Sequence, residues 1–165
     1  RLHSDATPHL KSALEDYTKA VDIGSNYAVV YRRKGLIELR LGDISAASKS
    51  LDKAVALAAN NEELASAIEN LGLLAIHLEE WTNAIDRSKV VLRVHPESNW
   101  NWAIRTIAAT KKDYDVMKAC SLHRWIAEGG NKDSSIQYYL SSKHWDYLME
   151  AVAKLKATGK PVCGE

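Results

Sequence analysis

The chain has 165 residues, enough for one compact domain with a sizeable core and too few for two of ordinary size. Hydrophobic residues make up 46%, so a folded core is expected, while 22 Lys and Arg against 21 Asp and Glu leave a net charge of +1 and no concentrated positive field, which argues against nucleic acid as a partner. The longest apolar runs, residues 54–59 and 71–76, fall far short of the roughly 18 residues that span a bilayer, so no membrane insertion is expected.

At the start of the chain no basic segment leads into an apolar one, and a chain that begins at Arg1 is expected to be processed or part of something longer. Residues 8–27 predict a helix with Leu10, Leu14, Tyr17 and Val21 along one side. Residues 28–61 predict a pair: a first helix through Tyr31, Gly35 and Leu41, a tight turn at Gly42-Asp43, and a second helix through Ala47, Leu51, Ala54 and Leu57. Residues 65–98 repeat the pair with Ile68, Gly72 and Leu78, a turn at Glu79-Glu80, then Trp81, Ala84, Ser88, Val91 and Val94. Pro96 follows in the next turn, where it stops one helix before another begins. Ala13 and Ala47 are 34 residues apart, and Gly35 and Gly72 are 37 apart, the difference being an insertion at 62–64. Within each second helix the matched positions are 4, 3 and 3 residues apart, which is one helical stripe.

Residues 99–131 predict a third pair, with a first helix over 100–111, a turn at Lys112-Asp113, and a second helix closed by Gly129-Gly130-Asn131; no glycine stands at its crossing. A short element over 134–142 and an amphipathic helix over 144–158 follow, expected to cap the last pair, with an ordinary further repeat as the alternative. Residues 159–165 read as a loose tail. Small residues at the predicted crossings (Gly35, Ala47, Gly72, Ala84) let helices approach closely, and a mid-helix glycine costs about 1 kcal/mol relative to alanine, so keeping two suggests that close approach offsets the cost. On that reading Gly72→Leu or Ala47→Leu should disturb packing.

These columns resemble the tetratricopeptide repeat, a helix-turn-helix unit of 34 residues. Residues 28–61 and 65–98 carry two whole units, 8–27 looks like the second half of an earlier one, and 99–131 resembles a divergent third. The resemblance implies an all-α fold: a right-handed solenoid of stacked antiparallel helix pairs with C-terminal capping helices, forming a single domain over 1–165. It also implies that the first helices of the units line a concave groove that takes a protein or peptide ligand. Carried over by position, the groove residues are Val29, Arg32, Arg33, Leu36 and Arg40, then Ser66, Glu69, Asn70, Leu73 and His77, then Trp100 and Ile104. Arg32 and Asn70, as solvent-facing groove residues, should be replaceable by Ala without loss of stability.

A subset of the family clamps the acidic C-terminal tails of heat-shock chaperones. Arg32 and Asn70 match two positions of that clamp, but Leu36, Trp100 and Ile104 stand where it needs polar or basic groups, so a hydrophobic or mixed groove is implied instead. Arg32, Arg33 and Arg40 suit carboxylate recognition by their guanidinium forks, or form a solvated face balanced by Glu38 and Asp43. Trp81, first in its helix, is expected to pack; Trp100 and Trp102 cannot share a helical face, so one is expected buried and one exposed, or both start the helix at a loop, and an exposed tryptophan at the start of a first helix would anchor a partner.

Six histidines form no HExxH pair, Cys120-x-x-His123 lacks further ligands, and no phosphate-binding or nucleophile-elbow motif is present, so no catalysis, metal or cofactor is expected. Cys120 and Cys163 are read as one core thiol and one tail thiol, which fits a reducing, cytoplasmic setting. The function expected is a protein-interaction scaffold or adaptor. The alternative is a non-catalytic structural or regulatory segment of a larger enzyme or assembly, because the N-terminal half unit leaves an apolar stripe that another chain, another copy or an upstream helix would cover.

Overall fold

The computed structural model describes residues 7–133, 135–158 and 163. The described residues form eight α-helices and one 3-10 helix: α1 (Thr7–Asp22), α2 (Ala28–Leu41), α3 (Ile44–Leu57), α4 (Asn61–His77), α5 (Trp81–Val94), α6 (Asn99–Lys111), α7 (Asp115–Ala127), the 3-10 helix Ser135–Tyr139, and α8 (Ser142–Thr158). Among the described residues the secondary structure is helical with no strand, and no helix is long and apolar enough to cross a membrane.

The closest neighbours are α2 with α3, α4 with α5, and α6 with α7; each pair then meets the next through α3 with α4 and α5 with α6. The first helices also touch one another, α2 against α4 and α4 against α6. Each pair is folded by the same kind of turn. Gly42 (φ 87°), Glu79 (φ 57°) and Asp113 (φ 55°) are all left-handed, and the residue after each donates its backbone N–H five positions back: Asp43 to Glu38, Glu80 to Ala75, Tyr114 to Ala109. This is the ending that satisfies the last carbonyls of a helix. Glycine takes the left-handed conformation without cost at the first turn, and Glu79 and Asp113 hold it in the other two.

The insertion at 62–64 lies inside α4, which runs for 17 residues against 14 in α2. Asn60 caps it by accepting from the Glu63 backbone N–H at 2.9 Å, and Glu62 and Glu63 sit in the first turn, where the helix dipole favours acids. α4 has α2, α3, α5 and α6 as neighbours, and Asn70 through Ile76 are buried without interruption. One apolar cluster runs from Leu36 and Leu51 through Leu73 and Ile104 to Ile136 and Leu148.

Three expectations change. Of the two crossing glycines, Gly35 is the forced close approach: a Cβ there would lie 2.8 Å from Leu51 Cγ, whereas one at Gly72 would meet nothing nearer than Ile104 Cδ1 at 3.7 Å, an ordinary contact. Cys120 and Cys163 are not separate thiols but a disulfide, with Cα atoms 5.6 Å apart, so the cysteines no longer argue for a reducing compartment. The C-terminal elements do more than cap the last pair: α8 packs on both α6 and α7, and the 3-10 helix reaches back to α2. The expected tail over 159–165 lies outside the described residues apart from Cys163, as does Ser134. No residue of α1 is fully buried, and Leu10, Leu14, Tyr17 and Val21 are each half-covered.

Candidate functional site

The side of the molecule formed by α2, α4 and α6 gathers most of the residues singled out above. Arg32 and Arg40 are half-buried, Arg33 is exposed, and Val29 is 39% exposed at the start of α2. Ser66, Glu69 and His77 on α4 and Trp100 on α6 are half-buried. Leu36, Asn70, Leu73 and Ile104 are not groove surface; all four are buried, Leu73 and Ile104 completely. Leu36, Leu73 and Ile104 join the apolar cluster, and Asn70, at 1% exposure, points its Nδ2 into the interior with no acceptor among the described residues. Asn70 therefore cannot be replaced without touching the core.

The cover comes from the chain itself. The Trp100 indole N–H donates to Ser135 Oγ at 2.8 Å, and its ring packs against Tyr139 at 5.4 Å between centroids. Trp100 is thus engaged by the chain itself and is not an open anchor. His77 Nε2 donates to the Tyr139 carbonyl at 2.6 Å; a carbonyl only accepts, so the neutral ring carries its proton on Nε2. The Arg40 guanidinium lies 4.6 Å from the centre of the Tyr138 ring. Each of α2, α4 and α6 thus contributes one side chain to the same five-residue element. Trp102, on the opposite side of α6, donates to the Pro96 carbonyl at 2.8 Å and is flanked by Arg105 and Arg124.

Beside Tyr139 a cavity of about 230 Å³ opens between α1 and α2, lined by Tyr17, Arg32, Arg33, Leu36 and Ile37. The three arginines are not balanced by Glu38 and Asp43. Glu38 is buried and engages Lys34 and Ser50, and Asp43 caps α3 by accepting from Ala46 N–H at 3.0 Å. Among the described residues Arg32, Arg33 and Arg40 form no ion pair, and Nε and Nη2 of Arg40 are buried without an acceptor.

Burial lowers the Arg32 pKa, and neighbouring Arg33 lowers it further, against the pull of Glu69. Glu69 is pushed up by burial, opposed by the Ser98 hydroxyl, which donates at 2.7 Å, and by Arg32; Asn101 Nδ2 donates to the same carboxylate. Ser66 and Glu69 border a second cavity of about 240 Å³ with Ala65, Val91 and His95. Burial also raises the Tyr139 hydroxyl pKa and lowers that of the His77 ring.

A second attachment lies at the far end of α4. Lys143 pairs with Glu79, and His144 is buried beside Trp81 and 5.8 Å, ring to ring, from His77. Among the described residues no three His, Cys, Asp or Glu side chains are placed to hold a metal ion.

No family model, curated protein or solved structure matches the chain. The site thus rests on its own geometry. Periodicity missed Ser135, Tyr138 and Tyr139 because they act across the fold: Ser135 meets Trp100 35 positions away, and Tyr139 meets His77 at a separation of 62. The only local signal was an adjacent aromatic pair after the Gly129-Gly130 turn.

Proposed function

We propose that the chain is a tetratricopeptide-type scaffold, a right-handed solenoid of helix pairs that holds a protein or peptide segment along the face made by α2, α4 and α6. The observation that carries this reading is the convergence of Arg40, His77 and Trp100, one from each first helix, on a single short segment. That is how a groove reads a peptide, through side chains on rigid elements and a backbone carbonyl. The recurring left-handed turns at Gly42, Glu79 and Asp113, 37 and 34 residues apart, support a repeat architecture. The proposal assigns no catalytic step.

The test is a selection from a displayed random-peptide library on the full chain, followed by binding of the selected peptides to Arg33→Ala and Val29→Asp. Both residues are exposed, so these variants should keep the wild-type melting temperature while losing affinity. Selected peptides that bind both variants as well as wild type would sink the groove reading.

One observation favours a second reading, a structural or regulatory segment of a larger assembly. α1 buries no residue fully, and Ile23 and Tyr27 beside it are 87% and 74% exposed. Light scattering that gives a monomer at 18.3 kDa, unchanged by Leu14→Glu, would count against that reading.

A further inference from the structure

The groove is already filled. Ile136 is completely buried in the main apolar cluster, Leu140 is 8% exposed, Tyr139 packs on Trp100, and the Tyr139 carbonyl accepts from His77. We propose that residues 135–140 are a built-in occupant of the groove, and that the outside partner it takes is a segment of the same pattern with an acid where Tyr138 stands: an apolar residue, one free position, Glu or Asp, then an aromatic. This rests on the groove reading above and names the chemistry of its ligand.

The occupant serves the apolar half of the site and leaves the charged half unserved. A ring face attracts the Arg40 guanidinium, but it gives the buried Nε and Nη2 no acceptor. A carboxylate in that place would accept from the guanidinium fork, the strongest pairing an arginine makes. Arg32 and Arg33 extend the same cationic side along the cavity at Tyr139, so an acid in the ligand lies in a favourable field. Segment 135–140 holds its place because it is tethered at both ends, which gives it a high effective concentration without the best contacts. A competing segment must displace it, so the affinity of the intact chain is reduced by the fraction of molecules in which the groove is open.

The probes are two fluorescein-labelled peptides read by anisotropy, one with the sequence of residues 132–141 and one carrying Tyr138→Glu in that sequence. The proteins are the full chain, the full chain with Tyr138→Ala and Tyr139→Ala, and the full chain with Arg40→Gln. Ile136 is kept because it belongs to the core. The peptide with Tyr138→Glu should bind the intact chain more tightly than its parent, and the double variant should bind both peptides about tenfold more tightly than the intact chain, as expected if the groove is open in a tenth of molecules or fewer. Arg40→Gln should erase the advantage of the glutamate.

Equal binding by the intact chain and the double variant would remove the built-in occupant, and a glutamate advantage that survives Arg40→Gln would remove the assignment of the acid to Arg40. Either result leaves the groove reading standing, since that is judged separately by library peptides on Arg33→Ala and Val29→Asp. If circular dichroism shows the double variant unfolded, hydrogen exchange on the intact chain decides: amides of residues 135–140 should exchange faster when the glutamate peptide is saturating, and unchanged exchange would overturn the proposal.

Discussion

A Cβ placed on Gly35 would lie 2.8 Å from Cγ and Cδ2 of Leu51 and 3.3 Å from Ser50 Cβ, and Leu51 is completely buried, so nothing there can yield cheaply. Gly35→Ala should therefore destabilise the chain by about 1–3 kcal/mol through overpacking. Gly72→Ala meets only ordinary contacts and should be neutral or gain up to about 1 kcal/mol from helix propensity. Urea denaturation of the two variants checks the pair, and a Gly72→Ala loss as large as that of Gly35→Ala would contradict these contacts. The two glycines occupy matched places in the sequence and looked alike; Gly35 lies against the Leu51 side chain of α3, whereas the nearest α5 atom to a Cβ at Gly72 would be Arg87 Cβ at 3.8 Å. A second residue-scale expectation concerns Asp113, a non-glycine at φ 55°. Asp113→Gly should stabilise by up to about 1 kcal/mol, because glycine removes the left-handed penalty. Glu79→Gly is a poorer choice although φ is similar, since it also removes the partner of Lys143.

The 3-10 helix and α8 are fastened to α4 through groups that titrate. Burial lowers the His77 pKa, opposed by its bond to the Tyr139 carbonyl, and burial lowers that of His144, helped by nearby His77 and opposed by Glu79. His144 also faces Tyr147 and Lys143, while its Nε2 lies 3.6 Å from Glu79 Oε1, too far for a hydrogen bond. Because folding depresses both ring values, the unfolded chain takes up protons first as pH falls. Stability is full above the unfolded histidine value, about 6.5, and declines as pH drops from there towards the lower folded values. Glu79, held below its ordinary value chiefly by Lys143, adds a loss only in the more acidic carboxylate range, and Glu69, pushed up by burial, works in the opposite sense. The melting temperature should therefore fall between pH 7.5 and 5.5, and the fall should shrink in His77→Gln and His144→Gln. An unchanged pH profile in both variants would place the acid sensitivity elsewhere.

On the scale of the whole molecule, the pairs α2–α3 and α4–α5 were legible because their contacts are close in sequence and repeat, and the turn at Gly42 announced itself by its glycine. What escaped lies between distant parts of the chain. Helical periodicity did not reveal that α4 would be enclosed, so Asn70 and Leu73 read as groove surface, and the spacing of Cys120 and Cys163 carried no information about Cα atoms 5.6 Å apart. That disulfide spans 43 residues and ties down the stretch containing the 3-10 helix and α8. In the chain-entropy view, cross-linking a loop of this length stabilises the fold by about 4 kcal/mol, through restriction of the unfolded state. In a stack of pairs, where contacts run mainly between neighbours, the effect should be uneven. α7 and α8 should exchange amide hydrogens faster on reduction, and so should the Arg32–Arg40 stretch of α2, because the 3-10 helix touches α2 directly. α3 packs on α2 and α4 and has no comparable contact with the C-terminal elements, so it should change least. Hydrogen exchange with and without dithiothreitol, alongside Cys163→Ser, measures this distribution. A uniform rise across all helices would mean that the molecule opens as one unit, and no rise in α2 would mean that the 3-10 helix keeps its contact with α2 without the disulfide.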